Sequence, residues 1–210
     1  MELYKYCKTM HMSELFDRGA LRIGTLFDWR RTGNHGEMVA DPAEGMMPIT
    51  GNVITYDWRF IHKVLVEGTV DVVDSGPNKS RHFTNSLLHC DDVYTFSATS
   101  TYSEDDHKTW FNVEGYDACY RIVQPEPFFQ AISYAMNACT FATYGNIHYY
   151  DPALSNQTFG DPFHPALLKH KAFGSQNEVR AIWHPSTLPI DPMIVSSSGI
   201  GLFCTKHRTF

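Results

Sequence analysis

Three short segments that lie far apart in the chain carry side chains of the types needed to cleave a glycosidic bond. They are Leu3–Tyr6 with Lys5, Val93–Ser100 with Ser97, and Gln176–Arg180 with Glu178. Each segment is predicted to be a strand that bears polar groups. If the three strands meet around one cleft, they provide a cation, a hydroxyl beside an aromatic ring, and a carboxylate. Such a set can stabilise the charge that develops when a glycosidic bond beside a pyrophosphate breaks.

The intervening sequence predicts the elements that would position these groups. Ser13 and Gly19 are a natural N-cap and C′ residue, which predicts a short helix after the first strand. Pro125 opens the clearest helix, and the apolar stripe from Phe128 to Cys139 faces the core. Residues 103–108 are a solvated turn or the start of a helix. The other elements are strands, so the sequence predicts an α+β fold with mostly antiparallel sheets and a few short helices.

The last of the three segments is predicted to be part of a strand from Gln176 to Trp183. Successive side chains of a strand point to opposite faces of a sheet. Val179, Ala181 and Trp183 are therefore expected to face the core, with Gln176, Glu178 and Arg180 on the other side.

Length and charge limit the classes of protein that fit. The 210 residues suit one domain, or at most a core with an appended lobe, and we take residues 1–210 as a single domain. The formal net charge of -6 excludes a global positive field that would hold nucleic acid by counterion release. Any contact with nucleic acid would have to be local.

Cysteine and histidine patterns argue against disulfides and metals. The five cysteines are odd in number, dispersed and without a CxxC pair, which indicates reduced thiols in a cytoplasmic protein. The eleven histidines lack the spacing of metal ligands, so no metal is expected. No segment has the length and apolarity of a signal peptide or a membrane span, so we expect no membrane association.

Several motifs together carry a resemblance to known families. They are Tyr4-Lys5-Tyr6, Leu21-Arg22-Ile23-Gly24, Asp41-Pro42-Ala43-Glu44-Gly45, Tyr94-Thr95-Phe96-Ser97, Trp110 and Asn177-Glu178-Val179-Arg180. This series resembles an uncharacterised bacterial and phage domain family with the pattern KYR…NDPF…FS…MW…EWR. The layout also resembles, remotely, the ADP-ribosyltransferase fold, especially the DarT-type toxins that modify DNA. The second motif of arginine-serine-glutamate transferases is similar to Phe96–Ser100, and the third to Gln176–Glu178.

The resemblance implies an enzyme that binds NAD and transfers ADP-ribose to a macromolecule, such as nucleic acid or protein, in bacterial or phage conflict. It implies that Glu178 stabilises the oxocarbenium-like centre, that Gln176 orients the acceptor, and that Ser97 holds Glu178 or the ribose. The NAD-binding residues it implies are Lys5, Tyr6, Arg22, Arg30, Tyr94 and Phe96. Within this set, Lys5 with Arg22 or Arg30 would neutralise the pyrophosphate, and Tyr94 or Phe96 would stack on nicotinamide.

One departure from the pattern leaves other functions open. Lys5 stands where an arginine or histidine is expected, and lysine cannot form the planar bidentate fork. This favours an alternative, a binding module of the same fold without turnover that acts as an immunity, antitoxin or anti-defence protein. A nucleotide hydrolase is a further alternative.

Individual residues also have ordinary structural interpretations. Glu178 can be an exposed strand carboxylate paired with Arg180 or a lysine, and Lys5 can be a solvated lysine between packed tyrosines. The long loop predicted over residues 32–51 contains Asp41-Pro42-Ala43-Glu44-Gly45, whose carboxylates are either solvated or part of a lid. Trp29-Arg30-Arg31 just before it would form a local patch suited to stacking a base.

Overall fold

The computed structural model describes residues 1–31, 33, 40–54, 64–73, 80–137, 139–151 and 164–210. These residues divide into two compact units. The larger comprises Met1–Pro42, Asp92–Ile147 and Gly174–Phe210, and the smaller Ala43–Asp91 and His148–Phe173. The part of the loop predicted over residues 32–51 that covers residues 32 and 34–39 lies outside the described residues.

Strands dominate both units, and most pair antiparallel, which confirms the predicted α+β class. The described helices are α1 (Thr9–Arg18), α2 (Glu104–Glu114) and α3 (Pro125–Met136). The strands in chain order are β1 (Leu3–Cys7), β2 (Ala20–Thr25), β3 (Met46–Ile54), β4 (Val64–Val73), β5 (Ser80–Cys90), β6 (Tyr94–Thr99), β7 (Ala118–Ile122), β8 (Cys139–Asn146), β9 (His148–Tyr150), β10 (Leu168–His170), β11 (Glu178–Pro185), β12 (Met193–Ser196) and β13 (Cys204–Thr209). No helix in the described ranges is long and apolar enough to cross a membrane.

The larger unit contains an eight-stranded sheet in which β6 is the branch point. One path runs β12-β2-β6-β1-β7-β13, and β11 pairs with β6 and carries β8 on its far side. Because β11 lies along β6 from Tyr94 to Thr99, β1 and β2 must share the opposite edge of β6. The strands from the start, middle and end of the chain therefore meet at β6.

The shared edge of β6 is split. β2 pairs with its beginning, where Thr25 and Gly24 lie opposite Tyr94 and Thr95. β1 pairs with its end, where Tyr4 lies opposite Thr99. Among these fully described strands, Phe96–Ala98 thus have no partner from β1 or β2. We call this stretch the β6 gap.

One face of the sheet forms the hydrophobic core with α1 and α3. Val179, Ala181 and Trp183 belong to this core, as the alternation along the last strand predicts. The Trp183 indole donates a 2.7 Å hydrogen bond to the hydroxyl of Ser133 on α3. This satisfies the only polar atom of a fully buried ring.

The other face of β1 is covered by α2. The ring centroids of Tyr6 lie 5.0 Å from His107 and 6.4 Å from Trp110, both on α2. Ser103 caps this helix by accepting a hydrogen bond from the backbone of Asp106, and Gly115 ends it at a φ of 70°. The helix start predicted near Ser103 is therefore a complete helix.

Three element boundaries outside the last predicted strand differ clearly from the prediction. α1 begins at Thr9 rather than at Ser13, although Gly19 ends it at a φ of 63° as expected. Met46–Gly51, predicted as loop, belongs to β3. Cys139 belongs to β8 rather than to the helical stripe of α3.

The smaller unit contains a β3-β5-β4 sheet and a parallel β10-β9 pair. Within it the carboxylate of Glu44 lies 3.6 Å from the ammonium of Lys169, and both side chains are buried. Asp41, in the larger unit, is buried as well. The expectation that the carboxylates of the Asp41–Gly45 segment are solvated is therefore wrong.

Candidate functional site at the β6 gap

The polar face of β6 and β11 collects the hydrophilic side chains of both strands. In the antiparallel ladder Arg180 lies opposite Ser97 and Glu178 lies opposite Thr99. Opposite residues share a face, and this face is the one away from α3. Ser97, half-buried, thus lies beside the Arg180 and Glu178 side chains.

Glu178 and Arg180 form a buried ion pair. The Arg180 Nε and Nη2 atoms donate hydrogen bonds of 2.9 and 2.6 Å to Glu178 Oε1. The exposed fractions of the two side chains are 2% for Arg180 and 6% for Glu178. The interpretation of Glu178 as an exposed carboxylate is wrong, although its predicted partner is correct. Charges removed from water in this way need good geometry and several hydrogen bonds to remain ionised.

Lys5 reaches into the β6 gap. Its ammonium donates a 2.6 Å hydrogen bond to the carbonyl oxygen of Ser97 and lies 5.0 Å from the centroid of the Phe96 ring. Burial lowers the pKa of Lys5, Glu178 acts in the opposite direction, and Arg22 and Arg180 lower the pKa further. The alternative interpretation of Lys5, as a solvated lysine between packed tyrosines, is therefore wrong.

Arg22 lies on β2, at the border of the same polar face. Its guanidinium is 2.5 Å from the carboxylate of Asp28 and 5.5 Å from the centroid of the Trp29 ring. The Trp29 indole in turn donates a 2.8 Å hydrogen bond to the hydroxyl of Thr95 on β6. A β-carbon on Gly24 would lie 2.4 Å from the Trp29 ring, so the indole is packed directly on the β2 backbone. Trp29 is thus held by the sheet rather than projecting to stack a base.

Asn177 shapes the entry to β11. Its φ of 44° lies in the left-handed region, which Asn tolerates better than most residues. Its carbonyl oxygen accepts a 3.0 Å hydrogen bond from the backbone of Ser100, which ties the start of β11 to the end of β6. Gln176 belongs to a 3-10 helix (Lys171–Gln176) before this turn. The prediction that Gln176 shares the strand face of Glu178 is therefore wrong, because strand alternation begins only at Glu178.

The contacts of the four other predicted NAD-binding residues differ from one another. Tyr94 and Phe96 face the core, where the Phe96 ring packs 5.5 Å from that of Phe128. Tyr6 lies under α2, its hydroxyl hydrogen-bonded to the backbone of Ser103, and burial raises its pKa to about 12. The Arg30 guanidinium lies 4.0 Å from the centroid of the Phe27 ring. Tyr94 and Phe96 thus lie on the core side of β6, and of the two the Phe96 ring also lies near the Lys5 ammonium.

The charges of the cluster favour an anionic group. Among the side chains that the structure describes here, Lys5, Arg22 and Arg180 are cationic, whereas Glu178 and Asp28 are the carboxylates. Cations in a region of low dielectric attract a phosphate or another anion strongly. Among the residues that the structure describes, no group of three or more His, Cys, Asp or Glu side chains is arranged to hold a metal ion.

The sequence predicts no role in the site for Arg180 or Thr95, and for Trp29 it predicts base stacking rather than a contact with β6. Alternation had already placed Arg180 on the face of Glu178, so the signal was present but was interpreted as a surface pair. The contact between Trp29 and Thr95 links positions 66 apart, and no local pattern predicts it.

Comparisons of this chain with protein-family models, with curated proteins and with solved structures find no match.

Proposed function

We propose that this protein is ADP-ribosyltransferase-like, that it binds NAD at the β6 gap and that it transfers ADP-ribose to a macromolecule. The observation that supports the proposal most is the convergence of Lys5, Ser97 and Glu178. Lys5 donates a hydrogen bond to the Ser97 carbonyl, and the charge of Glu178 raises the pKa of the Lys5 ammonium. These residues come from three segments that the sequence separates widely.

Glu178 has the chemistry that the proposal requires. Loss of nicotinamide leaves positive charge on the ribose carbon and ring oxygen. A carboxylate held beside that sugar stabilises the charged transition state more than the neutral ribose. The nicotinamide leaves with the bonding electron pair, and an acceptor nucleophile forms the new bond to the same carbon and loses its proton.

The cationic residues match the other half of the substrate. NAD carries a pyrophosphate, and Lys5 and Arg22 lie on the two strands that border the β6 gap. Lysine contacts a phosphate as a point charge, which does not need the bidentate geometry of arginine. The acceptor follows from the resemblance to DarT-type enzymes, which makes nucleic acid the first class to test and protein the second.

A second candidate is a binding module of the same fold that does not turn over NAD. One observation favours it, namely the buried ion pair between Glu178 and Arg180. A carboxylate neutralised by a guanidinium contributes less charge to a transition state. In this case the protein would act by binding a partner or ligand without chemical turnover, as an immunity, antitoxin or anti-defence protein does.

Release of nicotinamide separates the two candidates. Wild type, Glu178→Gln and the matched control Glu126→Gln, which removes an exposed charge on α3, are incubated with NAD alone and with single-stranded DNA, RNA or protein extract. We expect Glu178→Gln to lower turnover roughly 100-fold, the scale of losing one electrostatic stabiliser. Calorimetry should show a much smaller change in NAD affinity.

Each other outcome has a definite meaning. Binding without nicotinamide release in every wild-type mixture supports the module. Release that Glu178→Gln leaves unchanged removes Glu178 as the catalytic residue. If wild type neither binds NAD nor releases nicotinamide, NAD is eliminated as the ligand of this chain.

A further inference from the structure

The orientation of Glu178 is fixed by a residue on its own strand. Two nitrogens of the Arg180 guanidinium, Nε and Nη2, converge on a single oxygen of Glu178 at 2.9 and 2.6 Å. The residues are two positions apart on β11, so their side chains leave the sheet on the same face. This arrangement restricts the side-chain torsions of both residues.

The sheet around Arg180 makes the arrangement rigid. β11 is paired along both edges, with Ser97 of β6 opposite Arg180 on one side and Gly145 of β8 opposite it on the other. Gly145 adds no side chain to the polar face beside Arg180. A guanidinium on a strand paired at both edges is better placed to orient a neighbour than one on a loop.

We propose that Arg180 is a positioning residue that holds the Glu178 carboxylate ionised and oriented toward the ligand. The inference rests on the proposed function, since it assigns Arg180 a part in the reaction that Glu178 would support. The guanidinium remains charged at every physiological pH and presents a planar set of donors, which lysine lacks. Arg180 itself acts through Glu178 and need not touch the substrate.

The physical advantage is pre-organisation. A glutamate side chain has three torsions, and a carboxylate that samples several rotamers spends only part of its time beside the ribose. Misplacement of a catalytic group by about 1 Å can lower a rate roughly 100-fold. The guanidinium also favours the charged form of the carboxyl in a place where burial disfavours it.

The test compares Arg180→Met and Arg180→Lys with the control pair Arg121→Met and Arg121→Lys. Arg121 lies on β7, is more exposed and pairs with Glu2, so its substitution changes charge without touching the cluster. Because Arg180→Met leaves Glu178 buried without its cation, a double variant, Glu178→Gln with Arg180→Met, serves as the folding control. Two quantities are measured, the pH titration of the Glu178 carboxyl carbon by NMR and the pH profile of nicotinamide release.

We expect Arg180→Met to lower kcat by roughly 100-fold with a small change in KM, and Arg180→Lys to recover part of the loss. The carboxyl of Glu178 should titrate at higher pH in Arg180→Met, and the acid limb of the rate profile should move in the same direction. The Arg121 variants should match wild type in both measurements.

The inference is overturned if the Glu178 titration is the same in Arg180→Met and wild type, or if kcat is unaffected. A fall in rate without a change in titration would mean that Arg180 only supports the fold. If wild type releases no nicotinamide at all, the proposed function fails, and the titration alone then decides whether Arg180 holds the carboxylate ionised.

Discussion

The ammonium of Lys5 donates a 2.6 Å hydrogen bond to the carbonyl oxygen of Ser97, 92 positions later in the chain. The bond crosses the β6 gap, where β1 and β2 both leave the edge of β6. A side chain thus satisfies a backbone acceptor in a stretch that neither β1 nor β2 pairs on this edge. The charge of Glu178 raises the pKa of this ammonium, and that of Arg180 lowers it.

Loss of this hydrogen bond should destabilise the protein. Lys5→Met keeps the approximate length of the side chain but removes the donor, and it leaves a partly buried carbonyl without that partner. We expect a loss of about 1–3 kcal/mol in the free energy of unfolding, measured by chemical denaturation. Lys108→Met on the exposed surface of α2 is the control, because its surface ion pairs contribute little. Equal stability of the two variants would show that the Lys5 bond is dispensable.

Gly24→Ala should disturb the packing of Trp29. The added β-carbon would lie 2.4 Å from the indole, so either the ring or β2 must move. We expect a loss of roughly 1–3 kcal/mol, typical of overpacking, together with a change in tryptophan fluorescence as the bond to Thr95 weakens. Gly199→Ala is a matched control, because nothing lies within 4 Å of its added β-carbon. An unchanged emission spectrum in Gly24→Ala would contradict the packing of Trp29 on β2.

His107 should make stability depend on pH. Burial lowers its pKa, nearby Arg208 and His207 act in the same direction, and the carbonyls of Tyr116 and Ala118 oppose them. The unfolded chain therefore takes up a proton first as pH falls below about 6.5, and stability decreases from there down to the folded pKa. In His107→Leu the fall in unfolding free energy between about pH 6.5 and 5 should be smaller than in wild type. Identical slopes would exclude His107 as a source of acid sensitivity.

The cysteines should differ in reactivity although none of the five, all of which the structure describes, is in a disulfide. Burial raises the pKa of Cys7 to about 11 and those of Cys119 and Cys204 to about 12. Since the thiolate is the reactive form, we expect these thiols to react very slowly with a disulfide reagent in the native protein. Half-buried Cys139 should react first, and denaturant should expose all five. Rapid modification of Cys119 in the native state would contradict its burial.

The sequence predicted well where local physics decides the structure. Strand alternation puts the apolar side chains of β11 on one face, and that face packs on the core, as it does for Val179, Ala181 and Trp183. Gly19 ends α1 because glycine adopts a positive φ without strain. The α+β class follows from the same short-range patterns.

The site was harder to predict, because its geometry arises from contacts between distant segments. No pattern in the sequence shows that α3 covers the face of β6 that carries Tyr94 and Phe96. Because Asn177 adopts a positive φ, β11 begins at Glu178, two residues later than predicted, and Gln176 is not part of the strand. No pattern in the sequence signals this turn. Lys5 enters a gap that exists only because β1 and β2 pair with different ends of β6. Whether these residues bind NAD stays a prediction.

The branch at β6 also sets the order in which the chain can fold. β6 needs β1 and β2 from before it and β11 from well after it, and the bond that joins Thr99 to Asn177 spans 78 positions. Until β11 emerges from the ribosome, β6 has one open edge and the hydroxyls of its polar face lack the neighbours that later bury them. A sheet dominated by such distant pairings belongs with slowly folding topologies, which reach the native state in roughly milliseconds to seconds. During synthesis the unpaired edge of β6 is therefore open to chaperones and to mispairing with other nascent chains.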